Sequence, residues 1–167
     1  MDQDLKFDEM TASDWHQVQA IFTEGIHTGN ATFQTEAPTW EEWDMSHSEV
    51  CRLVARLNGE VVGWIALSPI SSREAFSGVS EVSVYVTHSV TGIGIGSKLL
   101  KELVTASEKH GFWTLQSMIF PENEGSIKLH RKFGFDEIGT RKRMGKLNGV
   151  WRDVVLLERR SNVVGID

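Results

Sequence analysis

Apolar and polar positions repeat along this chain with two different periods, and each change of period marks an element. A strand is expected from about Lys6 to Met10. After it, Trp15, Val18, Ile21 and Phe22 recur at helical spacing, behind Thr11 and Asp14, a capping box with Asp in place of the usual Glu or Gln. Thr39 to Trp43 reads as a second, short helix. The apolar runs Arg52–Leu57 and Val61–Leu67 flank Asn58-Gly59, a strong hairpin signal. Glu81 to Val86 is a buried strand, and Leu99, Leu100, Leu103 and Val104 form one face of a helix from Ile95 to Lys109. A strand at Trp113–Phe120 and a helix at Asn123–Lys132, stopped near Gly134, follow. A last hairpin then runs Arg141–Lys146, turns at Asn148-Gly149 and returns over Val150–Glu158. No repeat or linker interrupts the series. It predicts a single mixed α/β domain over residues 1–160, with a short tail at 161–167.

The Glu81 strand leads into Gly92-Ile93-Gly94-Ile95-Gly96-Ser97 and then directly into a helix. Glycines let a backbone approach a ligand without an intervening Cβ. The first amides of a helix lack intrahelical partners and lie at the positive end of its dipole, so such a turn suits phosphates. A P-loop needs Gly-Lys-Ser/Thr, and here Gly96-Ser97-Lys98 has the order reversed. A dinucleotide fingerprint needs a third glycine, where this chain has Ser97 or Leu99 depending on the starting glycine. The third pattern, Arg/Gln-x-x-Gly-x-Gly/Ala, fits at Gly94-Ile95-Gly96, with Thr91 at its first position.

Composition narrows the partners. The net charge is -6 and the densest basic cluster is Arg141-Lys142-Arg143, which argues against nucleic acid or an anionic membrane. One cysteine, Cys51, leaves no internal disulfide and fits a reducing, cytoplasmic setting. The acidic start Met1-Asp2-Gln3-Asp4 and the lack of a long apolar stretch signal neither secretion nor membrane insertion. The six histidines show no metal-ligand spacing, so no metal is expected.

The third glycine pattern is the pyrophosphate loop of the GCN5-related N-acetyltransferases (GNAT), and the order of elements resembles that family over nearly the whole chain. A second anchor is Asn123-x-x-Ser126-x-x-Leu129-His130-x-x-Phe133-Gly134-Phe135. Within the family the pattern is similar to phosphinothricin and methionine-sulfone acetyltransferases. The residues shared are Asn30-Ala31-Thr32-Phe33, Arg73-Glu74-Ala75-Phe76, Glu81 with Ser83-Val84-Tyr85-Val86, and Asn148-Gly149-Val150-Trp151-Arg152-Asp153. Phe76 stands where those relatives usually carry Tyr.

The resemblance implies a central, mostly antiparallel sheet flanked by helices, and acetyl-CoA as cosubstrate. The cofactor would lie against Val84, Tyr85 and Val86, the turn Gly92 to Ser97, Asn123 and Ser126. It also implies a small amino acid or analogue as acceptor, a general base at Glu81, and a homodimer. On the period of two, Glu81, Ser83 and Tyr85 share one face of their strand and Val82, Val84 and Val86 the other. Desolvation of a carboxylate there would raise its pKa and improve it as a base. His130 and Tyr85 are both candidates for protonating the leaving sulfur. Arg73 could clamp an acceptor carboxylate, sulfone or phosphinate, with Phe33 and Phe76 lining the pocket. The six tryptophans and the aromatic run Phe33–Trp43, which one small core need not absorb, also point to an interface, a buried aromatic cluster being the plainer explanation. The alternatives are a non-catalytic acyl-CoA-binding module, or an enzyme acting on the N-terminus of a peptide or protein.

Overall fold

The computed structural model describes residues 4–90 and 92–167. Seven strands form one sheet in the order β1-β2-β3-β4-β5-β7-β6. They are β1 (Leu5–Glu9), β2 (Leu53–Leu57), β3 (Glu60–Pro69), β4 (Val79–Val86), β5 (Thr114–Ile119), β6 (Asp136–Leu147) and β7 (Val150–Arg160). Every neighbouring pair is antiparallel except β4 and β5. The helices are α1 (Trp15–Thr28), α2 (Trp40–Ser46), α3 (Ile95–Lys109) and α4 (Glu124–Lys132).

The two sides of the sheet are covered by different chemistry. On one face α1 and α2 pack an aromatic cluster: Trp15 and Trp43 lie 5.6 Å apart, Trp43 and Trp64 5.7 Å, and Trp64 stacks on Tyr85 at 4.9 Å. On the other, Leu99, Leu100 and Leu103 of α3 are fully buried against Ile65, Leu67 and Val82. Each such side chain contributes about 1.5–3 kcal/mol on burial. β3 is enclosed on both faces, which explains its unbroken apolar run from Val61 to Leu67. In β4, Val82, Val84 and Val86 join the α3 side while Tyr85 joins the aromatic side, as the period of two predicts.

Several boundaries differ from the sequence reading. The turn after Thr11 is a short 3-10 segment, Ala12–Asp14, before α1 begins at Trp15; Asp14 Oδ2 accepts the Thr11 N–H at 3.0 Å, so the capping box forms. β6 begins at Asp136, five residues before the expected Arg141. It is an edge strand exposed almost throughout, so no buried face imprints a period of two on its sequence. A register shift between Arg141 and Gly145 bulges it, with Arg143 at φ 50° and its N–H bonded to Asp153 Oδ1 at 2.8 Å. The end of the chain is tied back: Ser161 N–H donates to Trp113 O at 2.9 Å. The aromatic surplus is largely absorbed by the α1–α2 face, which holds Trp15, Trp40, Trp43 and Trp64; Trp151 is 54% exposed.

Gly25 shows how closely α1 must approach β4. A Cβ there would stand 2.5 Å from Tyr85 Cε1, and the ring cannot yield easily because it lies between Phe22 and Trp64. Gly25→Ala gains about 1 kcal/mol of helix propensity, but overpacking costs about 1–3 kcal/mol, and the second effect should win. Urea unfolding should show a lower midpoint at unchanged slope; an unchanged or raised midpoint would contradict the close approach.

Candidate active site

The parallel pairing of β4 and β5 lasts only three residues: Val79 with Thr114, Ser80 with Leu115 and Glu81 with Gln116. Beyond Glu81, β4 keeps its ladder with β3 as far as Val86, and β5 keeps its ladder with β7 as far as Ile119. The two strands have parted, so their facing edges have backbone groups that no neighbouring strand pairs. A cavity of about 550 Å³ fills the gap. It is lined by Glu81 to Val86, by Ser117 to Phe120, by Gly25, Thr28 and Asn30–Gln34 on one side, and by Asn123, Ser126 and His130 on the other. It therefore passes through the sheet.

Glu81 stands at the apex, where the strands part. Burial raises its pKa above the ordinary carboxylate range, and the Gln116 side-chain N–H, donating to Oε1 at 3.1 Å, partly offsets that rise by stabilising the anion. A carboxylate tuned upward and fixed by a neutral donor is suited to take a proton near neutral pH.

His130, on α4, is 2% exposed. Its Nδ1 lies 2.7 Å from the Ser126 carbonyl oxygen, and Phe135 meets the ring edge-on at 5.0 Å. A carbonyl only accepts, so Nδ1 carries the proton and Nε2 presents its lone pair. Burial holds the imidazole pKa below its usual value, with the Ser126 hydrogen bond opposing. Tyr85 lines the cavity from the α1 side. Burial pushes its phenol up to about 12, with Thr32 opposing.

The glycine turn forms a second, basic pocket. Gly94, at φ 75°, is the N-cap of α3, and a Cβ on it would meet no protein atom within 4 Å. Its outer side is therefore open to a ligand. Gly94 and Ser97 line a pocket of about 470 Å³ with Lys98, Lys101, Lys132 and Phe133. Three ammonium groups beside the positive end of a helix make an anion site. Gly96 allows α3 to pass close to α4, since a Cβ there would meet Leu129 Cδ2 at 3.3 Å.

The structure thus brings Glu81, Val84, Tyr85, Val86, Asn123, Ser126, His130 and Phe33 around one cavity. Gly92 is exposed and Ile93 half-buried at the turn, Ile95 is 2% exposed inside the core, and Ser97 faces the basic pocket. Thr91 lies outside the described residues. Arg73 and Phe76 are not among the lining residues. They sit on the exposed loop before β4, the guanidinium 5.4 Å from the Phe76 ring. The sequence reading missed Gln116, Ser117 and the lysines. Lys98 and Lys101, three apart on the exposed side of the helix after the glycines, were detectable; Gln116 has its role only through the β4–β5 register. Among the described residues, no group of three or more His, Cys, Asp or Glu side chains could hold a metal ion, and no helix is long and apolar enough to cross a membrane.

Sequence and fold both have counterparts in known proteins. Residues 14–135 match the acetyltransferase (GNAT) family model. The chain belongs to the GNAT acetyltransferase family. This GNAT enzyme is 32% identical over 153 residues to a phosphinothricin N-acetyltransferase from Streptomyces viridochromogenes, covering 89% of this chain and 84% of that protein. It is 33% identical over 100 residues to an L-methionine sulfoximine/L-methionine sulfone acetyltransferase from Pseudomonas aeruginosa, covering 60% of this chain and 58% of that one. A crystal structure of a GNAT phosphinothricin acetyltransferase from Sinorhizobium meliloti in complex with acetyl-CoA superposes with a TM-score of 0.86 at 28% identity, covering 100% of this chain and 92% of that one.

The opposing influences on Glu81 can be checked by titrating its side-chain carboxyl by NMR. The midpoint should lie above that of an ordinary glutamate. Gln116→Leu removes the donor that favours the anion, so the midpoint should rise further. A midpoint that stays put or falls in the variant would show that Gln116 does not stabilise the carboxylate.

Proposed function

We propose that this GNAT enzyme transfers the acetyl group of acetyl-CoA to the amino group of a small amino acid or amino-acid analogue, with Glu81 as general base. The observation that carries this reading is the raised, Gln116-bonded carboxylate at the apex of the gap between β4 and β5. The names of the relatives support the acceptor class, and the acetyl-CoA complex of a structural neighbour supports the cosubstrate.

The residues fit acetyl-CoA. Lys98, Lys101 and Lys132 would take its phosphates beside the Gly94 cap. The free edge of β4 would pair with its amide-bearing arm, satisfying backbone groups that are otherwise costly to bury. When bound it supplies a thioester carbonyl. Glu81 then accepts the proton that the attacking amine must lose; the C–N bond forms and the C–S bond breaks. A thiol leaves with a pKa near 8.5, so the sulfur can depart as thiolate and be protonated by solvent. Tyr85, with its phenol pushed up to about 12 by burial, stays protonated near neutral pH and can hydrogen-bond a developing negative charge.

A screen measuring thiol release from acetyl-CoA against amino acids and their sulfone, sulfoximine and phosphinate analogues tests the acceptor class. Release above background with none of them, while peptides or simple amines react, would overturn it. On an active acceptor, Glu81→Gln should lower kcat by 10²–10⁴-fold, the usual contribution of a general base, with acetyl-CoA affinity nearly unchanged. Near-normal turnover at pH 7 would remove Glu81 from the role. Because the cavity lining contains no Lys or Arg, Arg73, on the exposed loop before β4, is the proposed reader of the acceptor's anionic group. Arg73→Ala should then raise KM for an amino acid more than for the corresponding decarboxylated amine; equal penalties would show that it does not read the carboxylate.

We also propose that the active species is a homodimer. Ile138, Met144, Val150 and Trp151 are exposed along β6 and β7 at 55%, 43%, 60% and 54%, and large apolar surface of this kind often marks an interface. Sedimentation at micromolar protein should give a dimer, and Trp151→Glu should shift it toward monomer. A wild-type monomer at that concentration would exclude this assembly.

A further inference from the structure

Two deeply buried polar atoms lining the cavity have no hydrogen-bond partner among the described residues: Ser117 Oγ and His130 Nε2, on side chains that are each 2% exposed. Buried polar groups are nearly always paired, and an exception beside a cavity points to something that enters it. The other two such atoms, the indole nitrogens of Trp43 and Trp64, belong to the aromatic cluster on the α1 side.

Ser117 and His130 line the same side of the cavity. Along β5, Leu115 and Ile119 belong to the core under α3, and Ser117 shares their face by the period of two. Gln116 points the other way, with Glu81. His130 comes from α4, and its neighbours Ile127, Leu129 and Phe133 pack on the α3 side as well. Both unpaired atoms therefore lie across the sheet from the base. Their chemistry is complementary. The Ser117 hydroxyl can donate, whereas His130 Nε2 can only accept, because the Ser126 carbonyl holds the proton on Nδ1 at 2.7 Å.

We propose, resting on the acetyl-CoA reading above, that Ser117 and His130 form a donor–acceptor pair that holds a secondary amide of the pantetheine arm. The Ser117 hydroxyl donates to the amide carbonyl, and His130 Nε2 accepts from the amide N–H. The pair is neutral, as suits a neutral ligand group in a buried place. A phosphate would need the cations that stand elsewhere, on Lys98, Lys101 and Lys132. A departing thiolate would meet a lone pair on His130 rather than a proton. His130 in this assignment positions the cosubstrate and is not the general acid.

The test uses calorimetric binding of two probes, acetyl-CoA and adenosine 3′,5′-diphosphate, which lacks the arm. Ser117→Ala and His130→Leu should each weaken acetyl-CoA binding by about 3-fold to 10-fold, the range for a neutral hydrogen bond. Binding of the armless nucleotide should not change, and His130→Gln, which restores an acceptor, should recover part of the loss. Nitrogen NMR of the free enzyme should show His130 Nε2 unprotonated, with its resonance shifting on addition of acetyl-CoA and not of the nucleotide. Equal losses for both probes, no loss for either, or a defect confined to kcat with a protonated Nε2 would each overturn the pair. If the wild-type protein binds neither probe, the acetyl-CoA reading itself falls.

Discussion

The rest of this structure depends on where β4 and β5 stop pairing. Parallel strands normally continue side by side, since each unpaired backbone group in the interior costs about as much as a lost hydrogen bond. Here the ladder ends after the Glu81–Gln116 pair. Both strands stay straight because each is held on its outer side, β4 by β3 and β5 by β7. Those antiparallel ladders offset the loss and keep the gap from collapsing. The result is a cavity that crosses the sheet, with α1 and the loop after it on one side and α4 on the other.

The crossing separates two kinds of chemistry. On the α1 side are Glu81, fixed by Gln116, the Tyr85 phenol, and the polar loop from Asn30 to Gln34. On the α3–α4 side are neutral hydrogen-bonding groups and, farther out, the three lysines around the glycine cap. The lysines give the second side positive charge, and Glu81 puts a carboxyl group on the first. Arg152 braces this arrangement. It donates to Gly29 O and Asn30 Oδ1, each at 2.8 Å, and its guanidinium lies 4.1 Å from the Phe120 ring, so the loop that follows α1 is fastened to β7. Glu24 does the same at the other end, accepting from the Thr87 hydroxyl and the His88 N–H, which secures the chain as it leaves β4 for the glycine turn.

Most of the fold was legible because its signals are local. The α3 leucines, the Asn58-Gly59 hairpin and the glycine run before Ile95 declare themselves within a few residues, and α3 spans Ile95–Lys109 as expected. Glu81 was legible as a lone carboxylate on an apolar strand. What the sequence did not show depends on pairing between distant segments. Gln116 meets Glu81 only through a parallel register, and Ser117 is orphaned only because β5 parts from β4. The tryptophan count alone could not separate an interface from a buried aromatic cluster; the fold shows that four of the six pack in one core cluster. His130 was legible as a candidate position but not its proton: the Ser126 hydrogen bond, four residues back on the same helix, leaves the lone pair on Nε2.

The central claim is that the open edge of β4 receives the cosubstrate as a neighbouring strand would. Amide hydrogen exchange with and without acetyl-CoA tests this directly. Amides between Val82 and Val86 that face the gap should exchange quickly in the free protein and become protected when acetyl-CoA is added, while those paired with β3 stay protected throughout. Saturating acetyl-CoA that leaves the exchange of this segment unchanged, with protection arising only at distant surfaces, would contradict the account.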